Sequence, residues 1–261
     1  MSAGFSAAAD PPARWTLCTA RNPFAAARMY CFPHSGGLPG EYMRWSPRLP
    51  EAEVWGVQLP GRGSRLAEPA FTDLPDLVDA VVEGIEFAEP FVLFGHSLGA
   101  LVAYHTAVEL RRRALPGPEA LILSASPAPR LVPKTASAAG LDDDALAAAV
   151  EREYGPLPED VAGGDPEIRA LLFGALRADL EIVSRYRAEP PVPLELPVTV
   201  YGGTRDSDPR TALEAWNEYT TGPFELRMFD GDHFYFREHP DEFLATLAET
   251  LRQRAARRLL G

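Results

Sequence analysis

Apolar runs and helix-like patterns alternate along most of this chain. The apolar runs are four to six residues long, and Gly, Pro, Ser or Asp occurs within two residues of the end of each, which is typical of short buried strands. They cover Arg28–Phe32, Glu53–Gln58, Phe91–Phe94, Leu121–Ser124, Val198–Tyr201 and Phe224–Phe229. Between them, apolar residues recur at helical spacing, as in 74–87 and 98–113. This alternation predicts an α/β fold with a mainly parallel, doubly wound sheet.

One stretch of the chain interrupts the alternation. Between Ser124 and Pro197 the sequence contains two helical patterns, 142–154 and 166–186, and no clear strand. A Gly/Pro-rich break separates the two patterns, and Pro190–Pro193 follows the second. A helical insertion placed here, about 130–193, predicts a lid that covers an active site and excludes water.

The pentapeptide Gly95-His96-Ser97-Leu98-Gly99 lies between a predicted strand and a predicted helix. Gly-x-Ser-x-Gly in that setting is the nucleophile elbow of α/β-hydrolases, in which the serine hydroxyl projects above the sheet. Strand and helix pass so close together at such a turn that side chains beside the serine must be absent, and glycine meets that need. Ser97 is therefore the predicted nucleophile of an α/β-hydrolase fold.

A nucleophilic serine needs a histidine base and an acid that orients the base, and in this fold the order is Ser, acid, His. His233 follows the last predicted strand in the turn Asp230-Gly231-Asp232, so we predict that it is the base. The acid should follow the preceding strand, where Asp206 and Asp208 both qualify by position. We favour Asp206, because Asp208 precedes Pro209 and suits the cap of the next helix.

An oxyanion hole needs two backbone N–H groups aimed at the developing charge. One is expected from Leu98, the residue after the nucleophile. The loop His34-Ser35-Gly36-Gly37 follows an early strand, and its glycines would let the backbone approach a substrate. We assign the second donor to Ser35.

Composition sets the broad class of the protein. The 261 residues carry a net charge of −12, which disfavours nucleic acid and anionic membranes as partners. Cys18 and Cys31 do not form a disulfide framework, and residues 1–14 are Ala/Ser/Pro-rich without the basic start or apolar centre of a signal peptide. We expect a flexible tail at 1–14, one domain at 15–261, a cytoplasmic location and a monomer.

Six sequence blocks follow one another in a recognisable order and spacing from Trp15 onward: Phe32–Gly37, Leu59–Gly63, Gly95–Ala100, Leu176–Asp179, Gly203–Asp206 and Gly231–Tyr235. As a set they resemble the type II (discrete, editing) thioesterases of polyketide and nonribosomal peptide biosynthesis. Two positions depart from the family pattern. Ser35 replaces an alanine, and Ser207-Asp208-Pro209 stands where the family has proline directly after the acid, so the choice between Asp206 and Asp208 stays open.

The resemblance implies a serine thioesterase that hydrolyses acyl groups, often aberrant short ones, from the phosphopantetheine arm of an acyl or peptidyl carrier protein. It implies no metal and no cofactor beyond the arm that arrives with the substrate. The alternatives are a small-molecule carboxylesterase or lipase, an acyltransferase with the same triad, and a non-catalytic carrier-binding protein. Because carrier proteins are acidic, a basic docking patch would be needed, for which Arg62, Arg65, Arg185 and Arg187 are candidates.

Overall fold

A seven-stranded sheet forms the centre of the computed structural model, which describes residues 15–155 and 165–258. The strands are β1 (Thr16–Leu17), β2 (Ala27–Phe32), β3 (Ala52–Val57), β4 (Phe91–His96), β5 (Leu121–Ser124), β6 (Val198–Gly203) and β7 (Phe224–Phe229). Their order in the sheet is β1-β3-β2-β4-β5-β6-β7, and every pair is parallel except β1 with β3. The predicted fold class, a mainly parallel α/β sheet, is confirmed.

The strand order reverses direction at the neighbouring strands β2 and β4. In open α/β sheets a crevice opens at such a point, beyond the carboxyl ends of the strands, and ligands bind there. The loop that begins at Pro33 follows β2, and Ser97 follows β4 directly. The topology therefore brings two of the predicted site segments to one edge of the sheet.

Alternating residues of the strands face two separate cores. In β2, Tyr30 and Phe32 belong to one apolar cluster, whereas Met29 and Cys31 belong to the other. Both faces are covered by helices, as expected for strands that are apolar on both sides. Helices Leu74–Gly84 and Leu98–Arg112 contribute to the first core, and helix Pro240–Arg258 contributes to the second.

Two longer helices occupy the segment between β5 and β6, which we call the first inserted helix (Asp143–Tyr154) and the second inserted helix (Pro166–Arg185). The Asp142 side chain caps the first by accepting from the Ala145 amide at 2.8 Å. Asp165 caps the second, with a proline in its first turn. Shorter helices cover Gly40–Met43, Arg210–Glu214 and Tyr235–Glu238.

Several element boundaries differ from the predicted ones. β1 was not predicted, β4 continues to His96, β6 continues to Gly203, and the helix after Asp73 ends at Gly84, before Phe87. The expectation that Asp208 caps the next helix is wrong, because that helix begins at Arg210 with Pro209 as its N-cap. The predicted tail, 1–14, lies outside the described residues. Within the described ranges, no helix is long and apolar enough to cross a membrane.

Candidate active site

Ser97 occupies a sharp turn between β4 and the helix Leu98–Arg112. Its φ of 57° and ψ of −121° lie in a region that L-residues rarely adopt. A Cβ atom added at Gly95 would lie 2.1 Å from the Gly99 carbonyl oxygen, and one added at Gly99 would lie 2.1 Å from the carbonyl oxygen of Phe32. The steric reason predicted for these two glycines is confirmed, because side chains there would collide with backbone.

His233 and Asp206 meet at the carboxyl ends of β6 and β7. The Nδ1 atom of His233 lies 2.9 Å from Oδ2 of Asp206, and the two side chains are only 6% and 2% exposed. Because a carboxylate only accepts, this bond keeps the proton on Nδ1 and leaves Nε2 free to act as a base. The pair therefore has the arrangement that a base and its orienting acid require.

The two loops that carry this pair are tied together through their backbones. The amide of Thr204 donates to the Phe229 carbonyl, and the amide of Arg205 donates to the carbonyl of Gly231, both at 2.8 Å. Gly231 has a φ of 140°, so the turn before His233 adopts a conformation that favours glycine. These bonds, together with the parallel pairing of β6 and β7, bring Asp206 to the ring of His233.

The predicted oxyanion donors lie on either side of the switch point of the sheet. Within the described residues, the amides of Ser35 and Leu98 make no hydrogen bond. Leu98 is the first residue of its helix, where the N–H groups have no partner inside the helix and the helix dipole is positive. Both amides therefore still have an N–H to donate, as an oxyanion hole requires.

A single cavity brings the predicted site residues together. Ser35, Ser97 and His233 line it, and the inserted helices contribute an apolar wall made of Val150, Leu172, Phe173, Leu176 and Leu180. The ring of Tyr154, at the end of the first inserted helix, packs against the ring of His233, with 4.7 Å between the two ring centroids. In the described part of the chain, the Ser97 hydroxyl and His233 make no direct hydrogen bond, and such bonds often tighten only when substrate binds. The cavity thus combines a polar reacting end with an apolar pocket.

Comparison with known proteins identifies the family to which this chain belongs. A thioesterase-domain family model matches residues 27–251. A probable cadicidin biosynthesis thioesterase of Streptomyces griseus is 37% identical over 253 residues, which is 93% of this chain and 67% of that protein. The chain belongs to the thioesterase family. It is accordingly a thioester hydrolase.

Solved structures place the fold in the same group. RedJ, a thioesterase from the prodiginine biosynthetic pathway of Streptomyces coelicolor, is 36% identical with a TM-score of 0.80, over 94% of this chain and 90% of its own. BorB, a type II thioesterase from the borrelidin biosynthetic cluster, is 31% identical with a TM-score of 0.80, over 91% and 97%. The expected α/β-hydrolase fold and the resemblance to type II thioesterases are confirmed.

Two further histidines of this thioesterase, His34 and His96, are held neutral. Burial lowers the pKa of His34 to about 3, with the charges of Arg237, His233 and Arg62 adding to the effect. Burial also holds the pKa of His96 well below its usual value. His96 donates to or accepts from Ser124 Oγ at 2.8 Å, so it is part of a buried hydrogen-bond chain beside His233. These rings add no positive charge to the site at neutral pH.

The arginines proposed as a docking patch divide into two groups. Arg62 and Arg65 are each 4% exposed and paired with carboxylates, so the prediction that they offer a basic surface is wrong. Arg62 pairs with Asp179 on the second inserted helix, and Arg65 pairs with Glu68, three residues along the chain. Arg185 and Arg187 are exposed, and Arg185 pairs with Glu181.

Among the described residues, no three His, Cys, Asp or Glu side chains are grouped so as to hold a metal ion.

Proposed function

We propose that this thioesterase hydrolyses acyl groups carried as thioesters on the phosphopantetheine arm of acyl or peptidyl carrier proteins, and that it removes aberrant acyl units from a synthase in the cytoplasm. The observation that carries the proposal is one cavity lined by Ser97, by the Asp206-paired His233 and by an apolar wall. The biosynthetic pathways named for the cadicidin, prodiginine and borrelidin relatives support a substrate held on a synthase.

In the proposed acylation, His233 Nε2 removes the proton of Ser97 while the Ser97 oxygen attacks the thioester carbonyl. The carbonyl oxygen becomes an oxyanion that accepts from the Ser35 and Leu98 amides. The tetrahedral intermediate then expels the pantetheine thiolate, which takes the proton from His233 and leaves as a thiol. Asp206 stabilises the imidazolium that forms between the two proton transfers.

Deacylation repeats the same steps with water as the nucleophile. His233 accepts a proton from water, the resulting hydroxide attacks the Ser97 ester, and the same two amides hold the second oxyanion. Collapse returns the proton from His233 to the Ser97 oxygen and releases a carboxylic acid. The proposed steps balance with the side chains of the site and water alone, so the arm of the carrier is the only prosthetic group that takes part.

The test is hydrolysis of short acyl groups from a holo carrier protein, measured beside the matched acyl-CoA and p-nitrophenyl esters. We expect turnover of the carrier thioester to exceed ester turnover. Ser97→Ala should abolish both, since loss of the nucleophile in hydrolases with such a triad costs on the order of 10⁶-fold in kcat. Circular dichroism and the thermal midpoint of the variant are the control for folding.

Each alternative outcome would indicate a different function for this protein. Ester turnover with an untouched carrier would indicate a general carboxylesterase. Transfer of the acyl group to an added amine or alcohol in preference to water would indicate an acyltransferase. A Ser97→Ala variant that retains full activity in the pathway would mean that the protein acts by binding carriers, without using its serine.

A further inference from the structure

A buried ion pair lies directly behind the loop that carries Ser35. Asp179, on the second inserted helix, receives two hydrogen bonds from the guanidinium of Arg62, both at 2.6 Å. The side chains are 4% and 2% exposed, and the two residues are 117 positions apart in the chain. A bidentate pair of this kind is among the stronger polar contacts that a protein interior holds.

The same carboxylate also holds the backbone of the oxyanion loop. Oδ2 of Asp179 accepts from the amide of Gly36 at 2.7 Å. Gly36 has a φ of 73°, and a Cβ atom added there would lie 3.2 Å from the Cβ of Leu176, which is also on the second inserted helix. The loop and the helix are therefore in close contact at the residue that follows Ser35.

We propose that Asp179 is a positioning residue for the oxyanion hole. By fixing the N–H of Gly36, its carboxylate fixes the peptide plane between Ser35 and Gly36. The Ser35 N–H lies on the preceding peptide plane, which this restraint holds through the backbone torsions of Ser35. Arg62 orients the carboxylate by filling its remaining acceptor sites. The inference rests on the proposed function, because it gives a role to a residue around the proposed oxyanion donor.

Among the residues that the structure describes, other hydrogen bonds to the loop do not reach the Ser35–Gly36 peptide: Arg62 donates to the Gly37 carbonyl at 3.4 Å, and the His34 amide donates to the Tyr42 hydroxyl at 3.3 Å. Within the loop, the Gly37 amide donates to the His34 carbonyl at 2.8 Å, which closes a turn around Ser35 and Gly36. That bond leaves the Ser35–Gly36 peptide free to rotate unless the Gly36 amide is held. An oxyanion donor contributes fully only when it is oriented before the charge forms, since reorienting it during reaction costs energy.

The arrangement also makes the oxyanion hole depend on an inserted helix. Asp179 and Leu176 are one turn apart on the second inserted helix, and both touch Gly36. Ile182, on the next turn, is buried in the first core, together with Tyr30 and Phe32. The second inserted helix is thus a fixed part of the site, and its displacement would release the loop that carries Ser35.

The decisive comparison uses two double variants that both remove the ion pair. Arg62→Met with Asp179→Asn keeps a side-chain oxygen that can accept from Gly36, whereas Arg62→Met with Asp179→Leu removes that acceptor and keeps the same branched skeleton of four heavy atoms. Replacing both charges avoids an unpaired buried ion, which is what makes single replacements unfold a protein. We expect the leucine variant to lose about 10²-fold in kcat relative to the asparagine variant, the loss typical of one oxyanion donor.

If Asp179 had only a structural role, its variants would not lose affinity for a transition-state analogue selectively. A short-chain trifluoromethyl ketone adds to a serine hydroxyl and places an oxyanion in the hole, so its Ki should rise by the same factor as kcat falls. A thioether analogue of acyl-pantetheine has no such oxyanion and should bind all variants alike. The control is Arg177→Ala, on the same helix as Asp179. It removes an ion pair of 3.0 Å to Asp143 of the first inserted helix and should leave kcat near the wild-type value.

Equal kcat and equal ketone affinity in the two folded double variants would overturn the proposal. In the wild type, slow hydrogen exchange of the Gly36 amide is expected, and exchange at the rate of an unprotected amide would overturn it without any substitution. A wild-type protein that hydrolyses no acyl thioester would instead refute the proposed function, so the two failures are distinguishable.

Discussion

The loop after β6 contains two aspartates that are candidates for the acid that orients His233. Asp206 and Asp208 follow the same strand, and the sequence alone cannot fix which turns toward the histidine, because loop backbone has no regular period that sets the direction of each side chain. The structure places the Asp206 carboxylate on His233 Nδ1, with 2% of the side chain exposed. The capping argument that favoured Asp206 was wrong in its detail, since Pro209 is the N-cap, so its agreement with the geometry is fortuitous.

Replacing each aspartate by asparagine tests this geometry. An asparagine at 206 would turn an N–H toward Nδ1 and favour the tautomer that blocks Nε2 as a base. In serine proteases the equivalent change lowers kcat about 10⁴-fold. We therefore expect Asp206→Asn to lower kcat for an acyl thioester by a comparable factor and Asp208→Asn to leave it nearly unchanged. A larger loss for Asp208→Asn would reassign the acid.

At the scale of elements, the contact between β2 and the helix after Ser97 is set by Gly99. A Cβ atom at Gly99 would lie 2.1 Å from the Phe32 carbonyl oxygen, which is backbone and cannot rotate away. Gly174, in the second inserted helix, has no atom within 4 Å of an added Cβ and is exposed. The two glycines differ in packing although both are inside helices.

Alanine replacements at these glycines should shift stability in opposite directions. Gly174→Ala should raise the free energy of unfolding by up to about 1 kcal/mol, because glycine is a poor helix residue. Gly99→Ala should lower it by about 1–3 kcal/mol or more, as overpacked sites do. Urea midpoints for the two variants and the wild type measure both effects. A Gly99→Ala protein as stable as Gly174→Ala would mean that the helix moves off β2 at little cost.

Local pattern explains which elements the sequence could predict. The six strands and four helices that the sequence predicted have apolar residues at period two or 3.6, or in continuous runs, and their predicted ends lie within a few residues of the observed ones. The helix Pro240–Arg258, which covers the second core, was not predicted. β1 is only two residues long, so it has no period to detect. The pair Arg62–Asp179 joins residues 117 positions apart, and nothing in a loop arginine reveals a partner on a distant helix.

At the scale of the whole molecule, two properties govern the response to acid: some histidines are held neutral by burial, and the net charge is −12. Burial lowers the pKa of His105 to about 4, and its Nε2 lies 3.0 Å from the hydroxyl of Tyr186. In the unfolded chain the pKa of a histidine is about 6.5. Between these values the unfolded chain binds a proton that the folded protein excludes, so acidification favours unfolding. Loss of negative charge on acidification acts the other way, because it relieves self-repulsion.

These opposing contributions separate when the wild type is compared with His105→Gln, which keeps a donor near Tyr186 but does not titrate. The contribution of His105 to stability is complete above about pH 6.5 and is lost as the pH falls toward 4, with a slope that approaches about 1.4 kcal/mol per pH unit. The change in overall charge is nearly the same in both proteins and cancels in the difference. Urea unfolding between pH 7 and 5 should therefore show the wild type losing stability faster than the variant. Parallel stability curves would mean that His105 is protonated in the folded protein as readily as in the unfolded chain.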